Sequence, residues 1–218
     1  MPCILVILFV ILPFQILYGQ KFDTIKLEVR AGNEELELGK KFWMEEVKDS
    51  IQITKFQVYI TKPYSRQKNF QPAYVFWDYS LSPNQLFLMK PSKQRSFIRF
   101  GVDSITNLTG RFSGSLDPSN GMYWTWQNGF IHLKLEGNGN LVSTPKHMFQ
   151  FHLGGYSYPN NCVGEVSLGD CEGSKTMVLN IQPILRKAYE DYLFEVLSPG
   201  RKTNECMMRF IDSVQVKK

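Results

Sequence analysis

The residues of this 218-residue chain best suited to chemistry are three histidines, His132, His147 and His152, and four tryptophans. Two of the tryptophans, Trp124 and Trp126, stand one residue apart in "GMYWTWQNG". Imidazole is the commonest metal-binding side chain, and imidazole with sulfur suits copper. The histidines form neither an HxH nor an HxxxH pattern, so a shared ion needs ligands from two strands. In "MFQFHLGG", Phe149, Phe151 and Leu153 alternate inward, which leaves Met148, Gln150 and His152 on the opposite face. At a rise of roughly 3.3 Å per residue, Met148 and His152 are about 13 Å apart and do not hold one ion together. His132 alternates with Lys134 and Glu136, opposite Ile131, Leu133 and Leu135, so it reads as solvated. If its strand pairs in register with that of His152, facing side chains come within about 5 Å. His132 is then the second ligand beside His152. His147 follows Pro145-Lys146 at a loop–strand junction and reads as exposed.

The tryptophans admit three uses. An extended "YWTW" sends both indoles to one face. They then plug one end of a sandwich, with Trp126→Ala costing about 3–5 kcal/mol. One of them can instead border a metal or be oxidised itself. With Trp77, either can also serve as a stacking platform for a sugar. Asp78, Asp103, Asp117 and Asn120 carry oxygens that suit calcium. "DPSNG" from Asp117 and the Asp103-Ser104 pair are equally good turn and cap chemistry. There is no G-x-S-x-G, no HExxH and no Cys–His pair that reads as a nucleophile, so the chain is expected not to be an enzyme.

The elements that must position these groups show period two. Lys26–Arg30 and Glu35–Leu38 alternate. From Ile51 the apolar residues fall at Ile51 and Ile53, then at Phe56, Val58 and Ile60. The phase flip at Thr54-Lys55 is what a β-bulge leaves in sequence. Ala73–Tyr79, Leu86–Met89, Phe97–Val102, Phe130–Leu135, Met148–Leu153 and Met177–Ile181 read as further strands between Gly, Pro, Asn and Asp turns. The sum is all-β, an antiparallel sandwich. One short helix closes the chain. Ser198 caps it, Pro199 suits its first turn, and Cys206, Met207, Phe210, Ile211 and Val214 recur at helical spacing. Ile184–Val196 is a second helix or an irregular edge.

Met1 to Gln20 is uncharged, with an apolar core from Ile4 to Leu12. It reads as a signal peptide cleaved near Gly19 or Gln20 and too short to span a membrane. Residues 21–218 then form a single domain outside the cytoplasm, periplasmic or at the cell surface, with no transmembrane span. Export permits disulfides, and Cys162 and Cys171 flank a polar, glycine-containing stretch, so they are the expected pair. Cys206 is left as a buried thiol. The formal net charge of +5 is spread among acidic residues, which argues against nucleic acid as a partner.

From Gly101 onward the sequence carries a gapped pattern: "GVDS", "LDP", "GMYWTWQNGF", "KLEG" and "FHLGG". It resembles the MbnP-like copper-binding family of secreted bacterial proteins, most densely from Gly101 to Tyr156. The resemblance implies a periplasmic or cell-surface β-sandwich and copper held by histidines and an oxidised tryptophan (kynurenine). It also implies a secreted di-haem peroxidase-like partner that makes the modification. It places the family histidine at His152 and the modified or site-lining tryptophan at Trp124 or Trp126. The expected function is non-catalytic copper binding. The alternative is a structural, carbohydrate-binding or protein-binding module that has no metal.

Overall fold

The computed structural model describes residues 22–66, 71–110 and 112–218, so the expected leader at residues 1–20 lies outside the described residues. In chain order the strands are β1 (Asp23–Ala31), β2 (Glu34–Glu35), β3 (Lys41–Met44), β4 (Asp49–Thr61) and β5 (Tyr64–Ser65). There follow β6 (Tyr74–Asp78), β7 (Leu86–Met89), β8 (Ser92–Phe100), β9 (Tyr123–Thr125) and β10 (Gly129–Gly139). The last five are β11 (Met148–Gly154), β12 (Gly164–Cys171), β13 (Lys175–Asn180), β14 (Glu195–Val196) and β15 (Gln215–Lys217). Helices α1 (Ser104–Leu108), α2 (Gln182–Asp191) and α3 (Arg201–Asp212) lie between them.

The strands form two sheets. The smaller runs β15-β13-β1-β2, with β7 also on β1. The larger runs β12-β8-β4-β10-β11-β14, and β3, β5, β6 and β9 attach to it. The β-sandwich is the one the alternation predicts, but its sheets are mixed and not strictly antiparallel. β1 lies parallel to β13, and β11 parallel to β14. Alternation records which face is buried and carries no information on the direction of the neighbouring strand.

The phase flip in β4 is a bulge, as expected. Glu136 of β10 pairs with Lys55 and the next residue, Gly137, pairs with Ile53, so Thr54 is the extra residue. Ile51 and Ile53 before it, and Phe56, Val58 and Ile60 after it, all stay in the main core. Without the extra residue the second set would face outward. Each such side chain contributes roughly 1.5–3 kcal/mol by burial. The close approach at the bulge leaves no room at Gly137, where a Cβ would collide with the Gln52 carbonyl oxygen and the Phe149 ring.

The helices finish the core. Phe210 of α3 meets Phe100 edge-on at 5.8 Å and lies 6.4 Å from Phe56. The stretch 184–196 is both expected things in turn, the end of α2 and then the edge strand β14. α3 begins at Arg201 behind Gly200 with no side-chain cap. Ser198, the expected cap, instead offers its carbonyl to the Thr203 hydroxyl at 2.7 Å.

The expected Cys162–Cys171 disulfide is not formed. Cys162 is a buried free thiol whose Sγ donates to the Asn160 carbonyl, and the Cys171 side chain lies outside the described residues. The stretch between them is the strand β12, not a loop. The eight residues of strand from Gly164 to Cys171 span about 23 Å at the strand rise, whereas a bridge requires α-carbons within about 7 Å.

Gly137→Ala should destabilise the fold by about 3 kcal/mol, because the new methyl meets backbone in a packed interior. Urea unfolding of the variant against the parent chain measures this, and a loss under about 1 kcal/mol would contradict the packing at the bulge.

Candidate functional site

The larger sheet has a second face, and the conspicuous sequence motifs build on it. The alternation of β4 that sends Val58 and Ile60 inward sends Tyr59 outward. There Tyr59 joins Val102, Met122, Phe130 and Ile131 in a satellite core closed by half-buried Tyr123 and Trp124. "GVDS" is a clasp for this cluster. Asp103 caps α1 by accepting from the Thr106 amide at 2.8 Å, accepts from the Tyr74 hydroxyl at 2.8 Å and pairs with Arg99 at 2.8 Å. Burial opposes its charge, yet these bonds hold the Asp103 carboxyl below its ordinary value. Asn107 donates to the Val102 carbonyl and accepts from the Phe130 amide at 3.1 Å, which ties α1 to β10.

The "LDPSNG" stretch is the tight turn its sequence predicts. Asp117 accepts from the Ser119 amide at 2.8 Å, Pro118–Asn120 make a 3-10 turn, and Gly121 follows in the left-handed region at φ 70. Asp78, Asp103, Asp117 and Asn120, the calcium candidates, thus serve separate local bonds. Asp78 accepts from Ser80 and Gln57, and Asn120 donates to the Ser115 carbonyl. Among the described residues no three His, Cys, Asp or Glu side chains converge as a metal site would need.

The tryptophans divide. Trp77 is 1% exposed and donates to the Ser82 carbonyl at 2.6 Å, so it is no sugar platform. Trp124 packs over Gly154 of the "HLGG" segment, where an added Cβ would stand 3.1 Å from the indole. Trp126, expected to share a face with Trp124, is 76% exposed. β9 ends at Thr125, so Trp126 starts the hairpin turn and the alternation that would have paired the two indoles is broken.

The two chosen histidines also divide. β10 and β11 do pair, but Lys134 stands opposite His152, and the register slips between Ile131 and Leu133. The slip falls at His132, which the alternation had placed in solvent. It is fully buried instead, packed so tightly on Gly101 that a Cβ there would strike its ring. Nδ1 faces the Cys162 carbonyl at 3.4 Å, and Nε2 finds no hydrogen-bond partner among the described residues. The loop carrying Cys162 covers it, and neither event is encoded in the pattern around His132. The facing pair of histidines expected from the sequence is therefore not assembled.

His152 remains on the outer face. Its Nε2 lies 2.8 Å from Glu136 Oε1, and Lys55 approaches the other carboxylate oxygen at 3.4 Å. Burial pulls the His152 pKa down, Glu136 partly offsets this, and the flanking lysines push it down again, so the net direction is downward. His152 is therefore neutral near pH 7. Gly154, on which Trp124 packs, lies two residues along β11 from His152 and on the same side, roughly 7 Å from it at the strand rise. "KLEG" and "HLGG", 16 residues apart at Glu136 and His152, meet here in space. Sequence reasoning named His152 but missed Glu136 as its partner, although period two placed both on outward faces. His147 is exposed, as expected, with Nδ1 on the Val142 carbonyl at 2.9 Å.

Two outcomes follow from this geometry. Burial lowers the His132 pKa to about 4, opposed by the Cys162 carbonyl, while the unfolded value is about 6.5. The unfolded chain therefore binds the extra proton between these values. The stability that depends on neutral His132 is complete above pH 6.5 and is lost as pH falls toward 4, by on the order of 3 kcal/mol. His132→Phe should flatten that slope in urea unfolding at pH 7.5 and pH 4.5, and an unchanged slope would exclude His132 as its source. Trp126→Ala should cost under about 1 kcal/mol, against about 3–5 kcal/mol for Trp77→Ala. Equal losses would mean that Trp126 is buried.

The MbnP family model matches residues 20–208 of this chain. The fold is similar to that of MbnP from Methylosinus trichosporium, with a TM-score of 0.53 and 10% identity, over 77% of this chain and 78% of that one. At so low an identity the likeness concerns the fold alone. No curated protein matches the chain. The family match spans nearly all of the sandwich, from before β1 into α3, and on that ground the chain belongs to the MbnP family.

Proposed function

We propose that this protein is an exported, non-catalytic copper-handling protein whose metal-facing ligand is Nδ1 of His152. The observation that carries the reading is the 2.8 Å contact between His152 Nε2 and Glu136. A neutral imidazole that donates its Nε2 proton to a carboxylate keeps Nδ1 as a lone-pair donor. Such a carboxylate fixes the tautomer and orientation of a ligating histidine. Copper(I) bound there supplies a soft centre that needs few ligands. With His132 sealed inside and His147 five residues away just before β11, the His152 site offers one imidazole and leaves the other coordination positions to exogenous donors. Lys55 and Lys134 beside it weaken the hold on a cation. The arrangement favours loading and release over storage. Export rests on the uncharged, apolar first twenty residues. If a di-haem peroxidase-like partner oxidises one of the two motif tryptophans, Trp126 is the more accessible of the pair, 76% exposed against half-buried Trp124.

A second reading, an interaction module without metal, is favoured by a different observation. Ile105 and Leu108 of α1 are 80% and 72% exposed, and α1 is tied through Asn107 to the hairpin that displays Trp126. Anaerobic copper(I) titration against a chromophoric chelator decides between the two. The wild type should bind one equivalent, and His152→Ala and Glu136→Gln should each bind at least about tenfold more weakly. Equal affinity in all three proteins, or no binding by the wild type, would leave the interaction module.

A further inference from the structure

Away from the motif-bearing face, two clefts of about 300 and 370 Å³ adjoin at Glu46. The first lies between the turn after β1, the end of β3 and the start of α2, and its wall is Trp43. The second follows α2 to its C-terminus, where Tyr192 forms the rim. Trp43 is 60% exposed and Tyr192 is 83% exposed. The Trp43 indole is nevertheless held in place, because Nε1 donates to Glu45 Oε2 at 2.6 Å. An exposed aromatic ring with a fixed orientation at the edge of a cleft is the kind of side chain that anchors a ligand.

The charge of this groove is opposite to that of the whole chain, which carries +5. Glu34, Glu45 and Glu46 line the first cleft and Glu190 lines the second, and Arg186 is the only basic residue among the lining side chains. Arg186 already faces Glu190 at 4.0 Å. Glu45 and Glu46 bind neutral donors, the Trp43 indole and the Gln182 amide, and Glu34 has no ion-pair partner among the described residues. Lys40, whose charge Glu34 also feels, is paired to Glu37 at 2.8 Å.

We propose that the groove binds an extended basic peptide segment of a partner protein, with a lysine or arginine side chain over the Trp43 ring and its charge among Glu34, Glu45 and Glu46. A cation over an indole face gains from the ring's electrostatic field, and unneutralised carboxylates around it add to the attraction. A neutral oligosaccharide would also stack on Trp43, but it would leave those carboxylates without a counter-charge. The site is independent of His152 and of copper.

The test is fluorescence polarisation with a labelled hexalysine peptide, at low and at physiological salt. Hexaglutamate and an unlabelled neutral glucose hexasaccharide serve as competitors. The wild type should bind hexalysine one to one, more weakly as salt rises, and neither competitor should displace it. Trp43→Ala and the double variant Glu45→Gln/Glu46→Gln should each lose at least about tenfold in affinity. Thermal melts matching the parent confirm that both variants fold, and if Trp43→Ala melts lower, the double variant carries the test. No binding of hexalysine by the wild type would overturn the proposal, as would binding untouched by both changes. Displacement by the hexasaccharide would overturn it too and assign the groove to sugars.

Discussion

The register of β4 against β10 is the constraint on which the rest of the molecule depends. One extra residue, Thr54, lets a single long strand keep Ile51 and Ile53 in the core and then Phe56, Val58 and Ile60 as well. The same register fixes what faces outward. Lys55 comes to Glu136, and Tyr59 comes beneath Met122 and Phe130. A slip of one residue would exchange the two faces. Both the main core and the outer surface that carries His152 would be lost with it.

Much of the family signature builds this outer face. Asp103, Asn107 and the Asp117 turn spend their polar atoms on caps and backbone groups that hold loops over the sheet. Gly154 lets Trp124 lie against β11. What is left for chemistry is small, a neutral imidazole oriented by a carboxylate, with an indole on the same face. Rigid support of this kind would place a metal ligand accurately on the proposed reading of His152.

Two buried features show the limits of what the interior offers. Burial raises the Cys162 thiol to about 12 and the Cys206 thiol to about 11. Both therefore stay protonated at neutral pH, and a thiol is a poor nucleophile and metal ligand until it ionises. His132 is held neutral with one ring nitrogen unmatched among the described residues. Such a group is tolerated at neutral pH and becomes a liability in acid.

The sequence by itself determined a β-sandwich, the position of its longest strand's bulge, the Asp117–Gly121 turn and the outward direction of His152. Each of these follows from local physics, namely the two-residue period of a strand or the conformational preferences of Asp, Pro and Gly. Only the tertiary structure decided which strands run parallel, because burial patterns do not encode the direction of a neighbour. It also decided that β12 separates Cys162 from Cys171, where glycine and polar residues had disguised an extended segment. It buried His132 and exposed Trp126, since a register slip and a strand end override alternation at the last residue they touch. It brought Glu136 to His152, because a hydrogen bond between strands depends on pairing register, which side-chain type alone does not specify.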